Sequence, residues 1–286
     1  MTALKIKAKI GAHVSIAGGV FMAPGRAKDE GCETFQCFTR SPQGGPAPEL
    51  TPVIIDKFKE EMIRCGMDTF YIHAPYYINL ASLANNIRHG SISVLRSELE
   101  RGSLLGARYV MAHLGSSKGQ DVKQAIEKVS QGIEKILDGY NGSTKFLIEI
   151  AAGSGDVIGH TFEEIAEIME ASVKAPGFGG VCFDTCHAFA SGYDFRTPQK
   201  AKEMLASFDK IVGLQWLKMT QVNDSMVDVG LKRDRHEHIG DGFIKEEGIA
   251  SILQTPEFLG FDWLLETEME GRKKDIEILK NIRQDA

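Results

Sequence analysis

Eight short runs rich in β-branched and aromatic residues recur along the chain, each separated from the next by a stretch of helical periodicity. They are residues 9–15 (KIGAHVS), 34–39 (TFQCFT), 69–74 (TFYIHA), 108–114 (RYVMAHL), 145–150 (KFLIEI), 180–184 (GVCFD), 214–222 (LQWLKMTQV) and 262–267 (DWLLET). Between them, stretches such as TPVIIDKFKEEMIRCG, SVLRSELERGSLLG, DVKQAIEKVSQGIEKIL and TFEEIAEIMEAS place apolar residues at i, i+3 and i+4, and several open on Thr, Ser or Asp, which suit a helix N-cap. Eight strand–helix units in 286 residues predict an α/β fold of the (β/α)8 TIM-barrel type, one domain over residues 1–286. A doubly wound open sheet is the competitor, but it would usually carry a Gly-rich phosphate loop after the first strand. HVSIAGGV offers only a Gly pair there, and the later GSGDVIG has the wrong spacing and no lysine.

The ionisable residues fall at the ends of these runs. His73 ends the third, His113 the fourth, Glu149 the fifth and Asp184 the sixth, with His187 just beyond it; Glu266 ends the eighth, and Asp234 and His236 lie in the long segment 223–242 after the seventh. In a parallel barrel all strand C-termini face one mouth, so residues scattered over 200 positions converge. A ring of buried carboxylates without cations would be very costly. Histidine nitrogen and carboxylate oxygen are common zinc donors, and these residues exceed what one ion needs. The expectation is a cluster of two or three metal ions, suited to an in-line phosphoryl displacement. Each residue taken alone has a plainer reading, a satisfied core histidine or an ion-paired carboxylate; the joint pattern argues for metal. His13, His89, His160 and His238 fall outside the set, with His89 and His160 read as surface residues at helix entries and His13 as a group supporting the ligands.

The totals bound the rest. A hydrophobic content of 43% is enough for a large core, and the N-terminal MTALKIKAKIGAHVS shows no apolar leader. No apolar run approaches the roughly 18 residues of a membrane span. A cytoplasmic protein is expected, or a nuclear one in a eukaryote. Five cysteines without a CxxC spacing read as free thiols in a reducing compartment. The net charge of −6 argues weakly against a nucleic-acid partner, but formal charge omits bound metal ions.

The motifs IGAHVSIAGG, HAPYYINLAS, CFDTCHAFASGYD, VNDS and DRHEHIGDG resemble, over nearly the whole chain, those of endonuclease IV, the metal-dependent apurinic/apyrimidinic (AP) endonucleases. The resemblance implies a xylose-isomerase-like TIM barrel with up to three metal ions, normally zinc. It implies that His73 and His113 hold the first ion, that Glu149 bridges first and second, that Asp184, Glu266 and the residue at 221 hold the second, and that His187, Asp234 and His236 hold the third. Glu149, Glu266 and Asp184 are the implied catalytic carboxylates. The implied reaction, a step of base excision repair, hydrolyses the phosphodiester 5′ to an abasic site in duplex DNA, leaving a 3′-hydroxyl and a 5′-deoxyribose phosphate. Clearing of blocked 3′ ends is a further expected activity. A monomer is expected, with no membrane partner. An abasic nucleotide has no stacking to lose, so its extrusion is cheap.

The sequence also departs from the family. Gln221 stands where a histidine ligand is usual, which weakens the second site for zinc and suits manganese or magnesium better. Glu149-Ile150-Ala151 replaces the usual Glu-Asn-Thr, and Gln43 stands where some members carry a large basic residue in the loop after the second strand. Tyr76 and Tyr77 are then the expected wedge into the DNA stack, and Gln43, Arg40, Lys232, Arg233 and Arg235 the expected backbone contacts. Two rivals remain at this point. One is a metal-dependent sugar isomerase or epimerase on the same barrel, which would not need the DRHEH segment; the other is an abasic-site-binding homologue weakened in catalysis by Gln221.

Overall fold

The computed structural model describes residues 8–286; the reading of residues 1–7 as free of a leader lies outside the described residues. The barrel strands are β1 (Ile10–His13), β2 (Thr34–Cys37), β3 (Phe70–His73), β4 (Tyr109–Ala112), β5 (Lys145–Glu149), β6 (Phe178–Asp184), β7 (Leu217–Gln221) and β10 (Trp263–Leu265). They close in the order β1-β10-β7-β6-β5-β4-β3-β2, and every pair is parallel. The first and last meet through Ile10 opposite Trp263, Gly11 opposite Leu264 and Ala12 opposite Leu265. A separate antiparallel ribbon, β8 (Asp224–Ser225) with β9 (His236–Glu237), stands over the mouth on the loop that follows β7. No helix among the described residues is long and apolar enough to cross a membrane.

All eight expected strands form, most of them a residue or two shorter at their edges than expected, and two start elsewhere for a visible reason. Strand β7 starts at Leu217 because Leu214–Trp216 coils into a 3-10 turn behind Gly213, whose φ of 94° favours glycine. Strand β6 starts two residues early, at Phe178, and runs through Gly179 and Gly180 where its register against β5 shifts. A Cβ at Gly180 would lie 2.2 Å from the Trp216 carbonyl oxygen, so the chains approach there only as glycine permits. The expected caps are present: Thr51, Asp121 and Thr161 accept the backbone N–H three residues on and start helices Pro52–Cys65, Val122–Leu137 and Phe162–Glu170.

The two-residue period of a strand sorts the barrel into an outer and an inner surface. Outward residues such as Phe35, Phe70, Ile72, Val110, Phe146, Ile148, Val181, Phe183 and Trp263 join the main core beneath the helices. Each such side chain contributes roughly 1.5–3 kcal/mol on burial. Inward residues Tyr71, Tyr109, Met111, Leu147, Cys182, Met219 and Leu264 form a second cluster that plugs the lumen. One step further along each strand, two residues toward the mouth, the inward positions become polar: His13, Gln36, His73, His113, Glu149, Asp184, Gln221 and Glu266. The apolar plug is thus the floor of a polar ring to which all eight strands contribute.

Candidate metal centre

Glu149 is the hub of that ring. It is fully buried at the end of β5, with His73 Nε2 at 2.9 Å from its Oε2 and His113 Nε2 at 3.3 Å from its Oε1. The His73 ring is held by its Nδ1, which donates to the Ala74 carbonyl at 2.6 Å and leaves Nε2 facing the hub. Glu149 Oε1 is buried and has no hydrogen-bond partner of good geometry. Its carboxyl is nonetheless kept well below the usual range: burial works against ionisation, and the His113 and His73 imidazoles outweigh it. Burial alone would lower the His73 pKa, but the Glu149 carboxylate lifts it to about 9.

A second group forms on the far side of the hub. Asp184 ends β6 and caps the helix Thr185–Ser191 by accepting the His187 N–H at 2.7 Å. The His187 ring turns its Nδ1 to the Ile150 carbonyl at 3.0 Å, so Nε2 points outward. There it meets Asp234 Oδ1 at 3.2 Å and His236 Nε2 at 3.2 Å, while His236 Nε2 lies 3.5 Å from Asp234 Oδ1. Two imidazole nitrogens and a carboxylate oxygen at such spacings match the edges of a tetrahedron around a zinc ion, about 3.3 Å for bonds of about 2.0–2.1 Å. His73, His113 and Glu149 likewise offer ligand atoms within 4.8 Å of one another, as do His113, His187 and Asp234. The orphaned Glu149 oxygen and these two groups fit divalent ions in positions one and three.

The middle position is built differently. Gln221, fully buried at the end of β7, turns its amide nitrogen to Glu266 Oε1 at 3.0 Å and Glu149 Oε2 at 3.4 Å, and its oxygen to the Cys182 thiol at 3.2 Å. Both Asp184 oxygens accept hydrogen bonds, one from His187 and the other from Asn223 Nδ2 at 2.7 Å. Burial raises the Asp184 pKa despite the neighbouring His187 and His236. Glu266 is held down at about 2, with burial opposed by the His13 contact and the His73 charge.

Two contributors, Gln36 and Asn223, escaped the sequence reading. Gln36 donates through its amide nitrogen to Glu266 and to His13 Nδ1, the latter at 2.9 Å. Asn223 ties Asp184 to the chain at Glu266, whose N–H it accepts at 2.8 Å. His13, read as support, has its pKa lowered by burial and takes that Gln36 proton donor on Nδ1; its Nε2 is buried and unpartnered, and the residue lines the cleft over the ring. Strand parity was the available signal for His13 and Gln36. Of the outlying histidines, His89 is exposed as expected, whereas His160 is half-buried against Glu164 and His238 bonds Asp275 at 2.7 Å.

The surface residues divide. Tyr76 and Tyr77 are 65% and 37% exposed on the loop after β3, and Tyr76 packs edge-on to Phe38 with its ring 5.7 Å from His73. They border a cleft of about 510 Å³ that also holds His113, Lys118, Ser154 and Asp234; a second, of about 530 Å³, is lined by His13, His187, Arg235, His236 and Glu266. Lys232, Arg233 and Arg235 are exposed at this rim, and Gln43 is exposed on the loop after β2. Arg40 corrects the expectation. It is buried, and its guanidinium bonds Glu98 Oε1 at 2.6 Å and Ser97 Oγ at 2.9 Å, so it braces the loop base instead of facing a phosphate.

Comparison with known proteins is consistent across sequence and structure. The model of the xylose isomerase-like TIM barrel family matches residues 24–284. The probable endonuclease 4 of Halothermothrix orenii is 36% identical over 280 residues, 97% of this chain and 100% of that protein. The probable endonuclease 4 of Nitrosopumilus maritimus is 37% identical over 284 residues, again 97% and 100%. The crystal structure of endonuclease IV from Thermus thermophilus superposes with a TM-score of 0.85 at 31% identity, covering 97% of this chain and 100% of that one. A D-tagatose 3-epimerase-like protein, at 20% identity and a TM-score of 0.75, shares the fold.

Proposed function

Because this chain belongs to the endonuclease IV family, with relatives matched end to end, we propose that its polar ring cuts duplex DNA at abasic sites. The chain is a metal-dependent DNA-cleaving hydrolase, an AP endonuclease. The finer reading is hydrolysis 5′ to the abasic nucleotide, with zinc as the resident ion, in a cytoplasmic monomer. The observation that carries it is the pair of ligand groups flanking Glu149, with the DRH segment supplying Asp234 and His236 to the outer one.

When bound, divalent ions there would offset the charge of a phosphodiester and make water nucleophilic. The protein's own part is positional. Glu149 turns its two oxygens to His73 and His113, Asp184 orients His187 through its N–H, and Glu266 closes the ring just after β10. The cleft beside the ring has room for an extruded sugar phosphate, and Tyr76 with Tyr77 stands where a wedge would fill the gap left in the stack. Lys232, Arg233 and Arg235 would meet the flanking phosphates.

The test is a duplex carrying one abasic site, incubated with chelator-treated protein before and after zinc is restored. A nick that appears only with metal, and leaves a 3′ end a polymerase extends, supports the reading. Tight binding without a nick would leave the weakened homologue, and turnover of a ketohexose without a nick the epimerase.

A further inference from the structure

The hydrogen-bond roles around Gln221 admit one orientation of its amide. Three oxygens face its nitrogen: Glu266 Oε1 at 3.0 Å, Glu149 Oε2 at 3.4 Å and Gln36 Oε1 at 3.5 Å. The Cys182 thiol, a donor, faces its oxygen at 3.2 Å from below. Ionised carboxylates and amide oxygens only accept hydrogen bonds. Turning the amide over would set its oxygen against three oxygens and strand the thiol. Gln36 is fixed in the same way, because its nitrogen serves Glu266 and His13 Nδ1.

The Gln221 nitrogen therefore lies between Glu149 and Glu266, two of the three carboxylates, with Asp184, that would have to converge on an ion in the middle position. An ion there needs oxygens at about 2.0–2.2 Å, and the amide nitrogen would have to leave to admit it. Leaving breaks contacts to Glu266, Glu149, Gln36 and Cys182 together. Hydrogen bonds to ionised carboxylates are the stronger kind, and the ion would gain no imidazole in return. Asp184 does stand at ligand spacing with Glu149 and His187, but both of its oxygens are taken by the His187 N–H and the Asn223 amide.

We infer that the Gln221 amide takes the place of the middle ion and that the centre works with two ions. One is held by His73, His113 and Glu149, the other by His187, Asp234 and His236. The N–H groups of Gln221 stand where a cation would: they bridge Glu149 and Glu266 by hydrogen bonds. Glu266 becomes an acceptor for Gln36 and Gln221 that shapes the ring without ligating metal. This inference rests on the endonuclease reading for its reaction and on the amide network for its ion count.

The experiment counts ions. The full chain is stripped with chelator, reloaded with excess zinc, freed of unbound metal and analysed for zinc per chain; crystals of the same sample are measured at the zinc absorption edge. The expected result is two zinc ions per chain, with anomalous peaks beside His73 and beside His236 and none beside Gln221. Reloading with manganese should again give two. Three ions of either metal, or any peak bonded to Gln221, overturns the inference, as does a count below two. Gln221→His should raise the count to three, and a variant that stays at two also overturns it, because the amide would then not be what excludes the ion. The abasic-site nicking assay on the same sample separates the readings. Three ions with nicking removes only this inference, and two ions without nicking removes only the endonuclease.

Discussion

Asp224 Oδ1 accepts the backbone N–H of Ile244 at 2.8 Å and so ties the far end of the loop after β7 to its start. The same buried carboxylate accepts from Ser225, Gly240, Gly242 and Lys245. Asp234 and His236 hang from the loop it closes. A Cβ at Gly242 would come within 2.4 Å of Asp224 Oδ1, so that position is limited to glycine. Asp224→Ala leaves five donors to find water and should destabilise the fold by at least about 3 kcal/mol. Limited proteolysis should cut within 226–243 faster than in the parent chain. Unchanged cleavage and melting would show that the loop is held by other means.

Tyr76 and Tyr77 are expected to act on damaged DNA selectively. Replacing both with Ala should weaken binding to an abasic duplex by about tenfold or more, consistent with roughly 1–3 kcal/mol per stacked base, and weaken binding to undamaged duplex far less. Fluorescence anisotropy on the two duplexes measures the ratio. Equal losses would reassign the pair to general backbone contact.

Arg40 should behave as a core residue. Arg40→Met leaves the Glu98 carboxylate buried with Thr39 Oγ1 at 2.6 Å and Arg101 at 3.8 Å as its remaining partners, and should cost about 3 kcal/mol. Its DNA affinity should keep the parent's salt dependence, whereas Arg235→Ala should flatten the slope by about one counterion. A flattened slope in Arg40→Met would restore the phosphate role expected from sequence.

Zinc uptake should depend on pH with a definite sign. In the metal-free protein the His73 pKa is about 9 and the His187 pKa is also raised, by Asp184 and Asp234 against the effect of burial. Zinc binds the neutral ring, so at pH 7 it must displace protons from both. Apparent affinity should climb as pH rises from 6 toward 9, and calorimetry in buffers of different ionisation heat should show proton release. Conversely, the charge on His73 stabilises the metal-free fold, fully so below the unfolded value near 6.5 and progressively less as pH passes 9. Affinity that falls over this range would contradict the charge assignment.

His13 offers a test inside the cleft. Its buried Nε2 carries the proton, since Nδ1 accepts from Gln36. His13→Phe keeps a ring tilted against Phe38 and removes the acceptor of the Gln36 amide. Thermal melting should show a loss of about 1–3 kcal/mol, the cost of leaving the buried Gln36 amide without that acceptor, with zinc content unchanged. Lost zinc instead would make His13 a support for Glu266.

The barrel and most of the ring were legible because both rest on local patterns. Runs such as YVMAH and FLIE show apolar residues giving way to a ligand at the strand end, and the Asp184–His187 spacing places an N-cap and an outward ring together. Gln36, Asn223 and the orientation of Gln221 were not legible, because they depend on partners 230, 43 and 39 residues away. Arg40 misled for a related reason. A cation in a loop looks solvent-facing until the helix carrying Glu98 is laid against it.

The pairing of β1 with β10 sets a schedule for synthesis. A chain leaving the ribosome displays His73 through His187 well before the segment with Glu266 exists, and until β10 slots between β7 and β1 the ring is an open arc. That arc already carries His13 on β1 but lacks the side of the cleft formed by Glu266. An unfinished copy therefore cannot present the enclosed cleft that would commit it to cutting the genome, and the capacity to act arrives with the closing strand.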